Sequence, residues 1–203
     1  MRNPRVAIPR VLVHVLALLP LAILVWEFTQ GRLTANPIQY LQLRTGDCAL
    51  ALLVITLAAT PVNILFGIKD VVRLRRTLGL YAFMYAGLHF LNFTALDYRL
   101  DFNLMLSDVS GKRYVLAGLA AFLVLLLLAV TSVKPWMKRL GKNWGRIHWF
   151  IYVAAVLAVT HYLWQVKADI RLPLLYGVLV VLLLAVRTPY VRRAFRKLRP
   201  GPS

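Results

Sequence analysis

Six apolar stretches, each about as long as a bilayer is thick, alternate along this chain with short polar and basic connections, at roughly residues 11–28, 46–67, 79–97, 113–132, 147–166 and 172–188. A hydrocarbon core of about 30 Å needs about 20 residues of helix to cross it. A helix also satisfies its backbone hydrogen bonds internally, as lipid requires. The pattern therefore predicts an all-α membrane protein, a six-transmembrane-helix bundle forming a single domain over 1–203 with a basic tail at 189–203. Basic residues precede the first stretch, as in a signal peptide, but no small-residue cleavage site follows it, so a retained helix is expected.

Charge sets the orientation. On one side fall Arg2, Arg5 and Arg10, then Lys69, Arg73, Arg75 and Arg76, then Lys134, Lys138, Arg139, Lys142 and Arg146, and finally the tail from Arg187 to Arg199. That side holds 18 of the 25 basic residues and one acid, Asp70. The other side carries Arg32, Arg44, Arg99, Lys112, Arg113, Lys167 and Arg171 against Glu27, Asp47, Asp97, Asp101, Asp108 and Asp169. Basic connections stay in the cytoplasm, so both termini are expected there. Trp26 and Trp164 then fall at outer helix ends and Trp136, Trp144 and Trp149 at inner ones, the places of interfacial anchors.

Composition agrees. A hydrophobic fraction of 60% and a mean hydropathy of +0.68 exceed those of a soluble domain. The net charge of +18 is topological here and does not indicate nucleic-acid binding. The single cysteine, Cys48, excludes an internal disulfide, a Cys-based metal site and an iron–sulfur cluster. No internal repeat and no Gly-rich nucleotide fingerprint is evident. Without a dinucleotide domain the chain is not expected to take hydride from a pyridine nucleotide by itself.

The candidate chemistry lies in histidines within the apolar runs. Ionisable or metal-binding side chains at membrane depth are costly and mark function. At 1.5 Å per residue, His89 lies about 18 Å from the cytoplasmic end of its helix and His161 about 21 Å from the end of its own. Two level histidines on helices running the same way can clamp one haem iron from both faces, leaving no open position for oxygen. The alternative is that each makes an interhelical hydrogen bond.

His148 lies near the inner surface and has no level histidine partner, since Arg75 and Arg76 occupy the corresponding positions of the other helix. It is a candidate third haem ligand, a propionate or quinone contact, or an interfacial residue. Thirteen residues of ideal helix turn about 220°, so His148 and His161 share a face only if the helix bends or tightens. His14 is read as an interfacial snorkelling residue.

These residues carry a resemblance. His89 with the pair His148 and His161 resembles the ferric-reductase-type transmembrane domain shared by ferric reductases and NADPH oxidases. More narrowly, the chain is similar to the MsrQ family of haem-binding membrane subunits, through Arg75-Arg76-Thr77-Leu78-Gly79-Leu80 running to Leu88-His89-Phe90, Leu140-Gly141 with Trp144, His148 to Tyr152, His161 to Trp164, Val166-Lys167 and Thr60-Pro61. It departs from the pattern at Cys48 and Trp149. The wider superfamily usually has two histidines on each of two helices, whereas three appear here, as in MsrQ.

The resemblance implies a haem b electron-transfer subunit, with FMN as a second cofactor. Electrons would pass from the respiratory quinone pool, or from a cytoplasmic flavin reductase, to a periplasmic molybdopterin-containing methionine-sulfoxide reductase of the MsrP type. It implies His89 and His161 as axial ligands of the iron and His148 as a third haem or electron-entry residue. Other readings stay open: a stand-alone transmembrane ferric or quinone reductase, a transporter, and an assembly factor that binds haem incidentally. Against a transporter stand the missing mid-membrane acids and the absence of matched broken helices.

Overall fold

A computed structural model describes residues 4–191 and 193. Of the tail expected at 189–203, residues 192 and 194–203 lie outside the described residues, as does Arg2. The described chain is helical and contains no strand. Helices α1 (Pro4–Thr29), α2 (Pro37–Phe66) and α3 (Lys69–Leu91) are followed by a π-helical turn, Asn92–Asp97, and then by α4 (Phe102–Gly111) and α5 (Arg113–Thr131). Short helices α6 (Lys134–Leu140) and α7 (Asn143–Ile147) lead through a 3₁₀ turn, His148–Phe150, into α8 (Ile151–Gln165) and α9 (Arg171–Ala185).

A helix stands at each of the six apolar stretches. Four are long and apolar enough to cross a membrane: Val11–Thr29, Pro37–Phe66, Arg113–Thr131 and the continuous Asn143–Gln165. Helix α9 is apolar but has 15 residues, and α3 begins with basic turns. Three helices, α1, α2 and α3, start well before their apolar stretch. The Asn36 side chain accepts the Gln39 N–H at 3.1 Å and Pro37 opens the first turn, a capped start that extends α2 outward. Arg44, assigned by the pattern to an outer connection, is thereby inside α2, and Asp47, counted with the outer charges, lies well within that helix. Gly67, at φ 75°, ends that helix in the left-handed conformation.

Helix α2 packs on α3 and α5 packs on α8; α3 joins the two pairs through α5, α9 leans on α8 and α2, and α1 covers α3. The seams use small side chains. Ala82, Ala154 and Ala155 are wholly buried, letting backbones approach closely. Leu53, Leu57, Leu125, Leu128, Val159 and Val180 fill the centre, while α1 and α9 turn residues such as Leu12, Val15, Val181 and Leu182 outward. An outward apolar surface is what a bundle facing lipid presents.

Side chains from distant helices complete two broken backbone ladders. In α1, beside Pro20, the buried Tyr85 hydroxyl accepts the Leu21 N–H at 3.1 Å and donates to the Ala17 carbonyl at 2.7 Å. It therefore sits between the two groups an ideal helix would join directly. In α2, Pro61 has no N–H for the Leu57 carbonyl four residues back. The Arg187 guanidinium, arriving from the end of α9, donates to that carbonyl and to the Tyr152 hydroxyl of α8, with its cationic plane over the Tyr152 ring. One cation thus ties α2, α8 and the end of α9 together beside Pro61.

Candidate metal centre and inner cavity

The end of α3 is fixed from α2. Asn92, which opens the π turn, donates through its amide to the Ile38 carbonyl at 3.0 Å and to Gln42 Oε1 at 2.7 Å. One turn earlier, His89 Nδ1 lies 2.9 Å from the Gln42 carbonyl, so Nδ1 carries the proton and donates. Gly46, four residues after Gln42, leaves that carbonyl approachable. A Cβ there would stand 3.0 Å from His89 Nδ1 and 3.1 Å from Cε1.

The same arrangement occurs a second time. His161 Nδ1 donates to the Tyr114 carbonyl at 2.7 Å, and a Cβ on Gly118, four residues after Tyr114, would stand 2.7 Å from Nδ1 and 2.9 Å from Cε1. Each histidine follows its carbonyl partner by 47 residues. The sequence shows no repeat, yet the pairs α2–α3 and α5–α8 hold their imidazoles alike.

Both Nδ1 protons are committed to backbone oxygens, so both Nε2 atoms present lone pairs. The rings have centroids 6.1 Å apart and planes at 85°. Two metal–nitrogen bonds of about 2 Å each, added to the two ring radii, bring opposed imidazoles to about this separation. The Gln42 amide nitrogen lies 3.2 Å from His89 Nε2 and gives it a hydrogen bond, which metal binding there must displace. Among the described residues no group of three His, Cys, Asp or Glu could hold a bare ion. The pair suits a metal that brings its remaining ligands with it, as haem iron does.

His148 stands apart from this pair, about 20 Å along the helix at 1.5 Å per residue. The helix does tighten there, into the 3₁₀ turn. Its Nε2 lies 3.3 Å from Thr131 Oγ1, and the Trp144 ring lies 4.0 Å from its own ring. Trp144 also donates to the Thr131 carbonyl at 3.0 Å. Trp144, expected as a membrane anchor, is therefore a wall of the site; Trp149, largely exposed, keeps the position of an anchor. A cavity of about 460 Å³ opens beside His148, lined also by Arg75, Arg76, Gly79 and Tyr152. Arg75 Nε is buried at this cavity with no hydrogen-bond partner.

Phe122 of α5 stacks against Phe90 and Phe83 of α3, with centroids 4.6 and 6.0 Å apart. His14 is more than a snorkelling residue, because its Nδ1 meets the Tyr81 hydroxyl at 2.8 Å and joins α1 to α3.

Residues 45–159 match the family described as ferric reductase like transmembrane component. The chain is 46% identical over 181 residues to a protein of Xanthomonas axonopodis pv. citri, covering 86% of this chain and 83% of that one. A protein of Rhodospirillum rubrum is 43% identical over 186 residues, covering 91% and 89%. Both are named protein-methionine-sulfoxide reductase heme-binding subunit MsrQ.

The chain belongs to the MsrQ family.

Its match to the ferric-reductase component includes His89 and His148 and ends two residues before His161. Sequence reasoning singles out the three histidines but not Gln42, Gly46, Tyr114 or Gly118, and it reads Trp144 only as an anchor and a motif residue. Those four carry a signal that could have found them: a glycine four residues after a polar or aromatic position, 43 residues ahead of a membrane histidine, twice in one chain.

Proposed function

We propose that this protein is the haem b electron-transfer subunit of a methionine-sulfoxide reductase system. In this reading it passes electrons from the respiratory quinone pool across the bacterial inner membrane to a periplasmic molybdopterin-containing subunit of the MsrP type. The observation that carries the reading is the His89–His161 pair, with Nδ1 protons committed, Nε2 atoms left as acceptors that can ligate once Gln42 gives way at His89, and ring centroids 6.1 Å apart. The names borne by relatives over most of the chain support it. Six spans with both termini in the cytoplasm place this pair in the outer half and His148 near the inner face.

Haem iron supplies a one-electron carrier that exchanges no proton or ligand. The chain's residues do the rest. The Gln42 and Tyr114 carbonyls hold both imidazoles in the tautomer that ligates, and Gly46 and Gly118 give the rings room. The stacked rings of Phe83, Phe122 and Phe90 join α3 to α5. Electrons enter at the inner cavity, where His148 keeps one ring nitrogen on the Thr131 hydroxyl and the other for a proton or a ligand. Quinol is the donor assigned to this cavity, with a cytoplasmic flavin reductase as the other source; FMN rests on the family resemblance.

The test is the reduced-minus-oxidised visible spectrum of the purified protein, with haem and flavin analysis. A b-type low-spin spectrum is expected. His89→Ala and His161→Ala should each abolish it, whereas His148→Ala should keep at least one haem and slow reduction by quinol. Full haem content with an unchanged spectrum in either of the first two variants would refute the pairing. A stand-alone ferric reductase, favoured by the family description alone, would reduce iron chelates at the outer face without a protein partner.

A further inference from the structure

A buried acceptor beside the histidine pair has no donor. Asn92 is only 6% exposed, and its Oδ1 lacks a hydrogen-bond partner. Such groups are rare in folded chains and costly where they occur. Asn92 opens the π turn three residues after His89, so the two side chains share the face of α3 that meets α2. Opposite them stand Ile38 and Gln42, one turn apart on α2. Backbone oxygens fix how the amides point, because a carbonyl only accepts. The Ile38 carbonyl takes one N–H of Asn92 at 3.0 Å, and the other N–H goes to Gln42 Oε1 at 2.7 Å. Gln42 Nε2 is then the atom 3.2 Å from His89 Nε2, an acceptor because His89 Nδ1 donates to the Gln42 carbonyl.

We propose that the Gln42 side chain is a two-position latch on the metal centre: it caps His89 Nε2 in the empty chain and turns to Asn92 Oδ1 when iron takes that nitrogen. The inference rests on the proposed ligation by His89 and His161. Coordination removes the acceptor that the Gln42 amide uses in the empty chain. The two amides already meet through Asn92 Nδ2 and Gln42 Oε1. The terminal torsion of glutamine is soft, so rotation about this contact closes a reciprocal pair in which each amide donates to the other. The hydrogen bond lost at His89 is thereby replaced, and the orphaned acceptor of Asn92 is filled. The empty site keeps its ligating nitrogen covered, and the loaded site strands no amide. Gln42 and Asn92 are positioning residues that act through His89.

The experiment is a double-mutant cycle on haem affinity. Haem is titrated into the full chain purified from haem-depleted cells, with the low-spin band as the signal. Asn92→Leu removes the acceptor that Gln42 needs only in the loaded state, so affinity is expected to fall about fivefold or more, the effect of a stranded amide N–H. In a Gln42→Leu background the same change should alter affinity by less than about twofold, because Asn92 then has the same neighbours with and without iron. Equal losses in the two backgrounds would show that Asn92 acts only by holding the Ile38 carbonyl, and would overturn the proposal. Unchanged affinity in Asn92→Leu alone overturns it as well. If Asn92→Leu does not fold, Asn92→Ser, too short to reach Gln42, decides by the same two comparisons. Failure of the underlying ligation shows differently, as a wild-type protein without a low-spin spectrum or a His89→Ala variant that keeps it.

Discussion

The close approach of Gly118 to His161 gives a sharp test of how the imidazole is held. Replacing Gly118 by Ala puts a methyl group 2.7 Å from Nδ1, 2.9 Å from Cε1 and 3.2 Å from Cγ of His161. The ring cannot retreat without stretching the 2.7 Å hydrogen bond to the Tyr114 carbonyl. Overpacking of this kind costs about 1–3 kcal/mol, and losing the hydrogen bond adds about 1 kcal/mol. Better helix propensity returns about 1 kcal/mol, leaving a net penalty of about 1–3 kcal/mol. Borne on the ligand geometry, that is roughly a 5- to 150-fold loss of haem affinity. The assay is haem per protein in detergent, with the low-spin band as reporter. Gly46→Ala, where the distances are 3.0 and 3.1 Å, should lose less, and Gly87→Ala, with nothing within 4 Å of its Cβ, should lose nothing. Gly118→Ala with full haem and an unshifted band, or Gly87→Ala with an equal loss, would refute the reasoning.

Two further predictions concern the broken ladders. Arg187→Met leaves the Leu57 carbonyl beside Pro61 without its guanidinium donor and should destabilise the protein by about 2–3 kcal/mol, since hydrogen bonds to charged groups are worth about that. Thermal unfolding in detergent should show a smaller loss for the same change made on Pro61→Ala, where a backbone N–H again serves the carbonyl; equal losses in both backgrounds would break the link. Tyr85→Phe should cost about 1 kcal/mol or less, because Leu21 N–H and Ala17 C=O can close directly once the hydroxyl between them is gone. A loss above about 3 kcal/mol would mean that the ladder does not close.

Hydropathy marked the six apolar stretches at which helices stand, because burial in lipid acts on every residue of a span at once and composition alone records it; it gave no sign of α4 and α6, which lie in the predicted connections. It misplaced the outer end of α2, since the cap at Asn36 and Pro37 carries the helix past the apolar run and takes Arg44 into it. His89, His148 and His161 were legible because an imidazole in an apolar stretch is conspicuous whatever surrounds it. Gly46 and Gly118 were not, because a glycine among alanines and leucines reads as one more small packing residue until the ring opposite is known.

The sequence by itself determined the helical class, the apolar stretches and the three candidate histidines, all properties carried by single residues or by runs of neighbours. Only the tertiary structure decided that Gln42 and Tyr114 orient two imidazoles toward each other, that Trp144 walls the inner cavity, and that Arg187 serves a carbonyl 130 residues away. Such pairings depend on distances of about 3 Å between atoms remote along the chain, and helix packing sets them. Local propensity and hydropathy carry no record of which helix lies beside which.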